Sequence, residues 1–448
     1  MTSPIELPLD QPELAAELAD GALLRRTILP SGLRILTERV PGAASASIGW
    51  WVPVGSRDEA AHQYGSTHFL EHLLFKGTRR RTAYDIAVAF DRVGGEHNAA
   101  TAREHTVYHA KIRDVDLPMA IEVLADMIAA SVIDADEFET ERGVILEELA
   151  MADDDPMDVL WERFTEHVFP GHPLGRPIGG TPETIAAATR DDVWAHYRAH
   201  YRPEDLVITV AGAVDHDEIV RRAQEALRHA GWDLERPSAP TARRSRQPGA
   251  LAVAGPLLEI ERPLEQVNLI LGGRGLAASD PDRHAHAVLH RILGGGMSSR
   301  IFQEVRERRG LAYSVYSFAS GYSDLGLVGL YAGCAPQKAA EVIAVCRDEV
   351  ARLLDSGVTA EELADAKGAA AGATALALED SDARMQRLGR AEIHQGEFLD
   401  LELALSRIEA VERDDVLAVG RRVLGAPLQA ASIGRLPDAA RTLLERGA

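Results

Sequence analysis

The sequence is poor in cysteine: Cys334 and Cys346 are the only two among 448 residues. They do not form a C-x-x-C pair, so neither a disulfide framework nor a thiolate zinc site is indicated, and a reducing compartment fits. The chain also lacks an apolar run near the roughly 20 residues that span a bilayer. Residues 1–21 lack the basic and apolar regions of a secretory signal. We therefore expect a cytoplasmic protein that does not contact a membrane.

Positive charge is scarce as well. Lys and Arg number 48 against 69 Asp and Glu, which gives a formal net charge of −21. Such a surface is repelled by a phosphate backbone and by anionic lipid, so nucleic acid and membrane partners are not expected. The glycine run at 294–296 lacks both the following Lys-Ser or Lys-Thr and the G-x-G-x-x-G spacing of phosphate-binding loops. No nucleotide cofactor is expected either.

The length and the hydrophobic pattern predict more than one domain, because 448 residues exceed what a single core supports. Strand-like runs alternate with helical patterns in both halves, and a basic, proline-containing stretch at 236–250 is the best linker candidate. We predict a flexible leader over 1–24, an N-terminal domain over 25–235 and a C-terminal domain over 251–445. The expected fold class is α+β, with two related domains, each a mainly antiparallel sheet covered by helices.

The segment His68-Phe69-Leu70-Glu71-His72 carries the chemistry. On a helix, His68 and His72 lie one turn apart and Glu71 falls within the same arc, so two imidazoles can hold one metal ion. Two imidazoles, a carboxylate and an open water position are a usual ligand set of catalytic zinc, and a carboxylate beside them can accept a proton from the water. A bare histidine pair is more often incidental on a surface helix. The glutamate and the apolar neighbours favour a metal centre here, with Glu71 as the base.

The third ligand is expected on a predicted helix over 137–149. Glu141 and Glu148 are seven residues apart and fall nearly on one line of that helix, whereas Glu147 points toward a different face. We assign Glu148 as the third zinc ligand and Glu141 as the acid that supports the site.

These residues resemble the zinc centre of the metallopeptidase family of pitrilysin, insulin-degrading enzyme and the mitochondrial processing peptidases. His68, Glu71 and His72 match the inverted H-x-x-E-H motif of that family. Glu148 matches its distal glutamate, and Glu141 matches its supporting acid. The resemblance covers most of the chain and shows no departure at these positions.

Two further stretches resemble the same family. Within 94–101, the resemblance implies that Asn98 and Ala99 contact the backbone of a substrate that adds as a strand. Within 294–313, Arg306 and Tyr313 match the arginine and tyrosine element of the family. The resemblance implies that these two hold the peptide and donate to the oxygen that becomes negative in the tetrahedral intermediate.

The resemblance implies a zinc metalloendopeptidase with one Zn²⁺ per chain, which hydrolyses short or unfolded peptides bound in extended conformation. Longer relatives enclose substrate with four such domains, so a chain with room for two implies a homodimer chamber, in which Arg306 and Tyr313 of one chain complete the zinc site of the other. Two alternatives stay open. One is a non-catalytic structural core subunit, which the complete ligand set disfavours. The other is the catalytic half of a heterodimeric processing peptidase.

A second histidine pair, His286 and His290, repeats the one-turn spacing in the second half of the sequence. No glutamate accompanies it, so a decayed counterpart of the first site is a better interpretation than a second metal site.

Overall fold

The computed structural model describes residues 3–249 and 251–445. Fourteen strands lie within these residues: β1 (Ile5–Glu6), β2 (Glu13–Glu17), β3 (Leu23–Ile28), β4 (Arg34–Arg39), β5 (Ser45–Val52), β6 (Glu96–Thr101), β7 (Thr106–Arg113), β8 (Val207–Gly212), β9 (Leu257–Ile260), β10 (Val267–Gly275), β11 (Ala312–Gly321), β12 (Gly326–Cys334), β13 (Glu397–Phe398) and β14 (Gln429–Ile433).

Fifteen α-helices lie within the same residues: α1 (Ser66–Leu74), α2 (Ala83–Asp91), α3 (Leu117–Ala130), α4 (Ala135–Asp154), α5 (Pro156–Val168), α6 (Pro182–Ala187), α7 (Arg190–His200), α8 (His216–His229), α9 (Arg283–Leu293), α10 (Ala339–Ser356), α11 (Ala360–Ala377), α12 (Ser381–Arg390), α13 (Leu401–Glu409), α14 (Arg413–Leu424) and α15 (Asp438–Glu445). Two further segments, Phe302–Arg308 and Ala391–Gln395, wind as π-helices. None of the described helices combines the length and the apolar character needed to cross a membrane.

The chain divides into two compact units that do not follow sequence order. The first unit comprises Met1–Ala150, Pro177–Arg243 and Ala375–Leu403, and the second comprises Met151–Arg176, Arg244–Thr374 and Ala404–Ala448. A single division at the predicted 236–250 linker would have assigned 151–176 and 375–403 to the opposite units. Residue 250, the last of the predicted linker, lies outside the described residues.

The two units repeat one sheet topology. The seven-stranded sheet of the first unit has the order β2-β3-β4-β8-β5-β7-β6, and the five-stranded sheet of the second has the order β11-β12-β10-β14-β9. The run β4-β8-β5-β7-β6 therefore corresponds to β9-β14-β10-β12-β11. In both runs the first pair is parallel and the other pairs are antiparallel. The predicted α+β class with two related, mainly antiparallel domains is confirmed.

Within residues 3–24 the chain forms β1, β2 and the start of β3, which corrects the prediction of a flexible leader over 1–24 for the described part of that segment. β2 pairs with β3, and β1 pairs with β13, nearly 400 residues away in sequence. Leu7 and Leu18 are buried in the same apolar cluster as Leu24 and Phe398. The acidic residues that suggested a loose segment lie on the exposed side of β2, so these apolar side chains decide the structure.

Strand β5 forms the centre of the first unit. It lies between β8 and β7, and its adjacent residues Trp50 and Trp51 are both fully buried, in different clusters on the two faces of the sheet. The Trp51 Nε1 donates a 2.8 Å hydrogen bond to Thr209 Oγ1 on β8. Helix α12 covers this face, and its residue Gly389 lies against the Trp51 indole. The indole is therefore fixed both by a hydrogen bond and by close packing.

Replacing Gly389 by alanine is expected to destabilise the protein by about 1–3 kcal/mol, as overpacking of a core does. An added Cβ would lie 2.2 Å from Trp51 Cε2 and 2.4 Å from Cζ2, and the hydrogen-bonded ring has little freedom to move. Urea unfolding followed by tryptophan fluorescence measures the loss. Gly372→Ala is the matched control, because a Cβ there meets nothing within 4 Å and should raise stability by up to about 1 kcal/mol. Equal midpoints for Gly389→Ala and wild type would contradict the packing argument.

Candidate metal centre

The helix that carries the histidine motif is fixed at its N-terminus by an upstream carboxylate. Glu59 Oε2 accepts a 2.9 Å hydrogen bond from the backbone N–H of Gly65, and Glu59 Oε1 accepts a 2.7 Å bond from that of Thr67. Gly65 has φ of 89°, which suits glycine, and its missing side chain leaves space for the backbone of Gly180. One face of α1 is buried in the core through Phe69, Leu70, Leu73 and Leu74. The polar motif residues therefore occupy the remaining face.

His68, His72 and Glu148 converge. Each contributes one potential ligand atom, and these atoms all lie within 4.8 Å of one another. Glu148 Oε2 is 3.4 Å from His72 Nε2 and 3.8 Å from His68 Nε2. No other group of three such residues is this compact within 3–249 and 251–445. The adjacent Glu147 is not part of the cluster, so the choice of Glu148 over Glu147 agrees with the geometry.

The donor types of this cluster suit a zinc ion, and a separation as wide as 4.8 Å must shorten for all three atoms to bind one ion. Zinc bonds of about 2.0–2.1 Å in a tetrahedron separate neighbouring ligand atoms by roughly 3.3 Å, which is close to the spacing around Glu148 Oε2. The donor set of two imidazoles and one carboxylate is also the one that catalytic zinc uses. Glu148 is half exposed, with 53% of its side chain accessible. One side of the cluster thus stays open to a water or a substrate.

Glu141 supports the centre from the buried side. It is 2% exposed, and its Oε2 accepts a 3.0 Å hydrogen bond from His72 Nδ1. Its other oxygen, Oε1, lies 2.6 Å from Lys76 Nζ. A proton held on His72 Nδ1 leaves the Nε2 lone pair directed at Glu148, which is how carboxylates orient metal-binding histidines. Lys76 offsets the charge of the buried carboxylate.

His68 is held neutral by its surroundings. Burial, together with the nearby His72, lowers the pKa of His68 from its ordinary value. A neutral imidazole is the form that binds a metal ion. Gly179 lies beside this ring, since a Cβ at that position would be 3.6 Å from His68 Nδ1.

Glu71 lies on the same helix, outside the three-ligand cluster. Its Oε2 accepts a hydrogen bond from Thr101 Oγ1, at the end of β6. Along β6 the residues alternate between more and less exposed, so Ala99 and Thr101 share the inner face while Asn98 lies on the outer face. β6 is the terminal strand of its sheet and pairs only with β7 among the described strands. Asn98 and Ala99 therefore lie on an edge strand next to Glu71.

Arg306 and Tyr313 belong to the second unit, whereas the histidine cluster belongs to the first. They contact each other: the Arg306 Cζ is 4.5 Å from the Tyr313 ring centroid, and Arg306 Nη1 donates a 3.1 Å hydrogen bond to the Tyr313 backbone oxygen. Arg306 lies in the π-helix and Tyr313 at the start of β11. Tyr313 is 78% exposed, so its phenol is accessible to a ligand.

The second histidine pair has a different environment. His290 Nδ1 lies 2.6 Å from Ser317 Oγ, and burial lowers the pKa of both His286 and His290. Neither residue belongs to a group of three ligands within the residues that the structure describes.

Sequence reasoning missed Thr101 and Lys76. Two signals were available. Lys76 follows His72 by four residues, just beyond the end of α1, and Thr101 has the same parity as Ala99 on a strand. Neither signal identifies an acceptor, because the partners, Glu141 and Glu71, are brought close only by packing between elements.

Comparison with known proteins identifies the family. Residues 34–182 match the family model described as Insulinase (Peptidase family M16), and residues 187–369 match the model described as Peptidase M16 inactive domain. A protein of Streptomyces coelicolor named as an uncharacterized zinc protease is 48% identical over 415 residues, covering 93% of this chain and 90% of that protein. Similarly named proteins of Mycobacterium leprae and Bacillus subtilis are 45% and 34% identical, covering 96% and 90% of this chain and 95% and 96% of their own lengths. The chain belongs to peptidase family M16, as its motifs predict.

Solved structures agree in fold. A peptidase M16 inactive domain from Pseudomonas fluorescens matches with a TM-score of 0.83 at 20% identity, covering 92% of this chain and 98% of that one. A protease from Helicobacter pylori matches with a TM-score of 0.81 at 21% identity, covering 92% and 99%. At these identities the likeness concerns the fold alone.

Proposed function

We propose that this chain is a zinc-dependent endopeptidase that hydrolyses short or unfolded peptides bound in extended conformation. The observation that carries the proposal is the convergence of His68, His72 and Glu148, whose potential ligand atoms lie within 4.8 Å of one another, with Glu71 on the same helix as the two histidines. Membership of peptidase family M16 and the zinc-protease names of the relatives support it.

The side chains of the site divide the chemistry among them. Zinc bound by His68, His72 and Glu148 would supply the positive charge that polarises a peptide carbonyl and acidifies a water molecule. Glu71 accepts the proton of the attacking water and delivers it to the nitrogen of the leaving amine. Glu141 keeps His72 in the tautomer that presents Nε2 to the centre.

The open edge of β6 is the proposed binding strand. An extended peptide gains backbone hydrogen bonds by adding to a free edge, and only a substrate with an unpaired backbone can do so. The edge passes Asn98 and Ala99 and ends at Thr101, which contacts Glu71. Binding here would bring a peptide bond toward the base, and it favours unfolded segments over folded domains.

Arg306 and Tyr313 are proposed to hold the peptide and to donate to the developing oxyanion. Their mutual contact and the exposure of Tyr313 support a joint role. The resemblance on which this assignment rests also implies a homodimer, with these two residues completing the zinc site of the partner chain.

Mixing two inactive variants tests the homodimer. His68→Ala removes a zinc ligand and Tyr313→Phe removes the phenol hydroxyl, so each homodimer is expected to be nearly inactive. A mixed dimer would contain one intact composite site, and activity should recover to about a quarter to a half of wild type, as expected for one working site of two with incomplete mixing. Sedimentation and mass spectrometry verify the mixed dimers. No recovery in verified mixed dimers counts against assembly between chains.

Removal of metal should abolish hydrolysis reversibly. Treatment with a chelator, followed by its removal, is expected to leave a protein that does not cleave a quenched peptide library, and about one equivalent of Zn²⁺ per chain should restore the activity. Glu148→Gln should need more zinc for the same activity, because a neutral amide is a weaker ligand than a carboxylate. Glu147→Gln is the matched control on the same helix and should titrate like wild type. Full activity in the chelated, metal-free protein would refute the proposed function.

A further inference from the structure

We infer that Thr101 is a positioning residue for Glu71: its hydroxyl holds one carboxylate oxygen of the base and leaves the other free to accept the proton. The inference rests on the proposed function and extends it to a residue of the strand that is proposed to bind the substrate. The contact that carries it is the hydrogen bond from Thr101 Oγ1 to Glu71 Oε2.

The Thr101 side chain is oriented by the strand. In β6 the less exposed residues are His97, Ala99 and Thr101, so all three point to the face covered by helices. Contacts between α1 and β6 place this face next to the motif helix. A threonine has restricted χ1 freedom because it is β-branched, so its hydroxyl is held in a limited range of directions.

Both ends of β6 are anchored although the strand lies at the sheet edge. At one end, the His97 ring stacks on Phe90 of α2, with centroids 4.3 Å apart and an interplanar angle of 14°. At the other end, Thr101 pairs with Thr106 of β7, and the Thr106 hydroxyl donates a 3.0 Å hydrogen bond to the backbone oxygen of Val54. The donor to Glu71 therefore sits on an anchored backbone.

The chemistry explains why a donor is needed. A glutamate side chain has three rotatable bonds, and its carboxylate must face the attacking water to take a proton. A hydroxyl bound to Oε2 restricts rotation and leaves Oε1 as the accepting atom. Because β6 also offers its edge to the peptide, one strand fixes the positions of both the substrate backbone and the base. Loss of the hydroxyl should then impair the chemical step more than binding.

Thr101→Val removes the hydroxyl and keeps the shape. We expect kcat to fall about 10- to 100-fold, the equivalent of a hydrogen bond to a charged group, while KM, zinc content and thermal unfolding stay close to wild type. Thr101→Ser should recover most of the lost kcat because it restores the donor. Thr374→Val makes the same change on α11 and should leave kcat unchanged. A kcat near wild type for Thr101→Val, or a drop explained by lost zinc or lost stability, would overturn the inference.

A readout that does not need activity separates this inference from the proposed function. Crystal structures of the zinc-loaded wild type and Thr101→Val are expected to show Glu71 in one conformation in the former and displaced or in several conformations in the latter. An unchanged Glu71 in the valine variant would overturn the positioning role. If the wild type cleaves no peptide, the proposed function fails, and the Glu71 conformation still decides the role of Thr101.

Discussion

Replacing Glu71 by glutamine is expected to lower kcat for peptide hydrolysis about 100- to 10,000-fold, the range for loss of general acid–base catalysis, without changing the zinc content. Glutamine keeps the size of the side chain but cannot accept a proton at neutral pH. The three proposed ligand atoms belong to His68, His72 and Glu148, so the substitution leaves that cluster intact. Kinetics on a quenched peptide library and metal analysis of the same samples measure both quantities.

The Glu71→Gln result is interpreted against a control substitution of another glutamate and against the measured zinc content. Glu122→Gln changes an exposed glutamate on α3 and should cleave like wild type. A Glu71→Gln protein that keeps zinc and more than a tenth of the wild-type rate would contradict the assignment of the base. If wild type and variant both bind zinc and neither cleaves, a structural core subunit or a missing partner chain becomes the better account.

The cluster of His68, His72 and Glu148 could be predicted because much of its geometry is local. A helical period places His68, Glu71 and His72 on one face within five residues. The same period separates Glu148 from Glu147, and the structure brings Glu148 to the histidines. The helical period cannot predict which helix contacts which strand. The hydrogen bond from Thr101 to Glu71 depends on how β6 packs on α1, and no spacing in the sequence encodes it.

For the fold, too, local features could be predicted from the sequence and contacts between distant segments could not. The turn at 30–32 and the strands on either side of it were readable from alternation and turn residues, and Gly32 has the positive φ of 84° that such a turn requires. The pairing of β1 with β13 was not readable, because a two-residue strand has no pattern of its own and its partner is nearly 400 residues away. The sequence also did not predict that 151–176 belongs to the second unit and 375–403 to the first, because this too depends on contacts between distant segments. These segments are mostly helical, and the whole chain sets their packing partners.

Charged residues in the first unit provide the sharpest difference between sequence and structure. Arginine is seldom fully buried, yet the side chains of Arg26 and Arg34 are 0% and 1% exposed. Both guanidinium groups lie 3.3 Å from the fully buried carboxylate of Glu392, and Arg243 Nη2 lies 3.1 Å from the same group. The arginines also donate to backbone oxygens, including those of Pro8 and Gln11. One carboxylate thus neutralises part of a buried cluster that joins distant segments of the chain.

Replacing Glu392 by alanine is expected to destabilise the first unit by about 3–5 kcal/mol, the cost of leaving buried charges without their partner. Three guanidinium groups would then face one another around a cavity. Glu392→Gln keeps the shape and the oxygen acceptor but removes the charge, so it should also destabilise, by a smaller amount. Urea unfolding measures these changes. Glu379 is an exposed residue that lies, like Glu392, within 375–403 of the first unit. Glu379→Ala is the control and should stay within about 0.5 kcal/mol of wild type.

A second substitution separates lost charge pairing from lost packing. Arg34→Met in the Glu392→Ala background removes one of the stranded charges and retains an apolar stem of similar length. If unpaired charge causes the instability, the double variant should be more stable than Glu392→Ala alone, since the two residues are in direct contact and their effects need not add. If lost packing is the cause, the second substitution should add its own cost. A double variant less stable than Glu392→Ala would therefore refute the electrostatic explanation, even if the first substitution had the expected size.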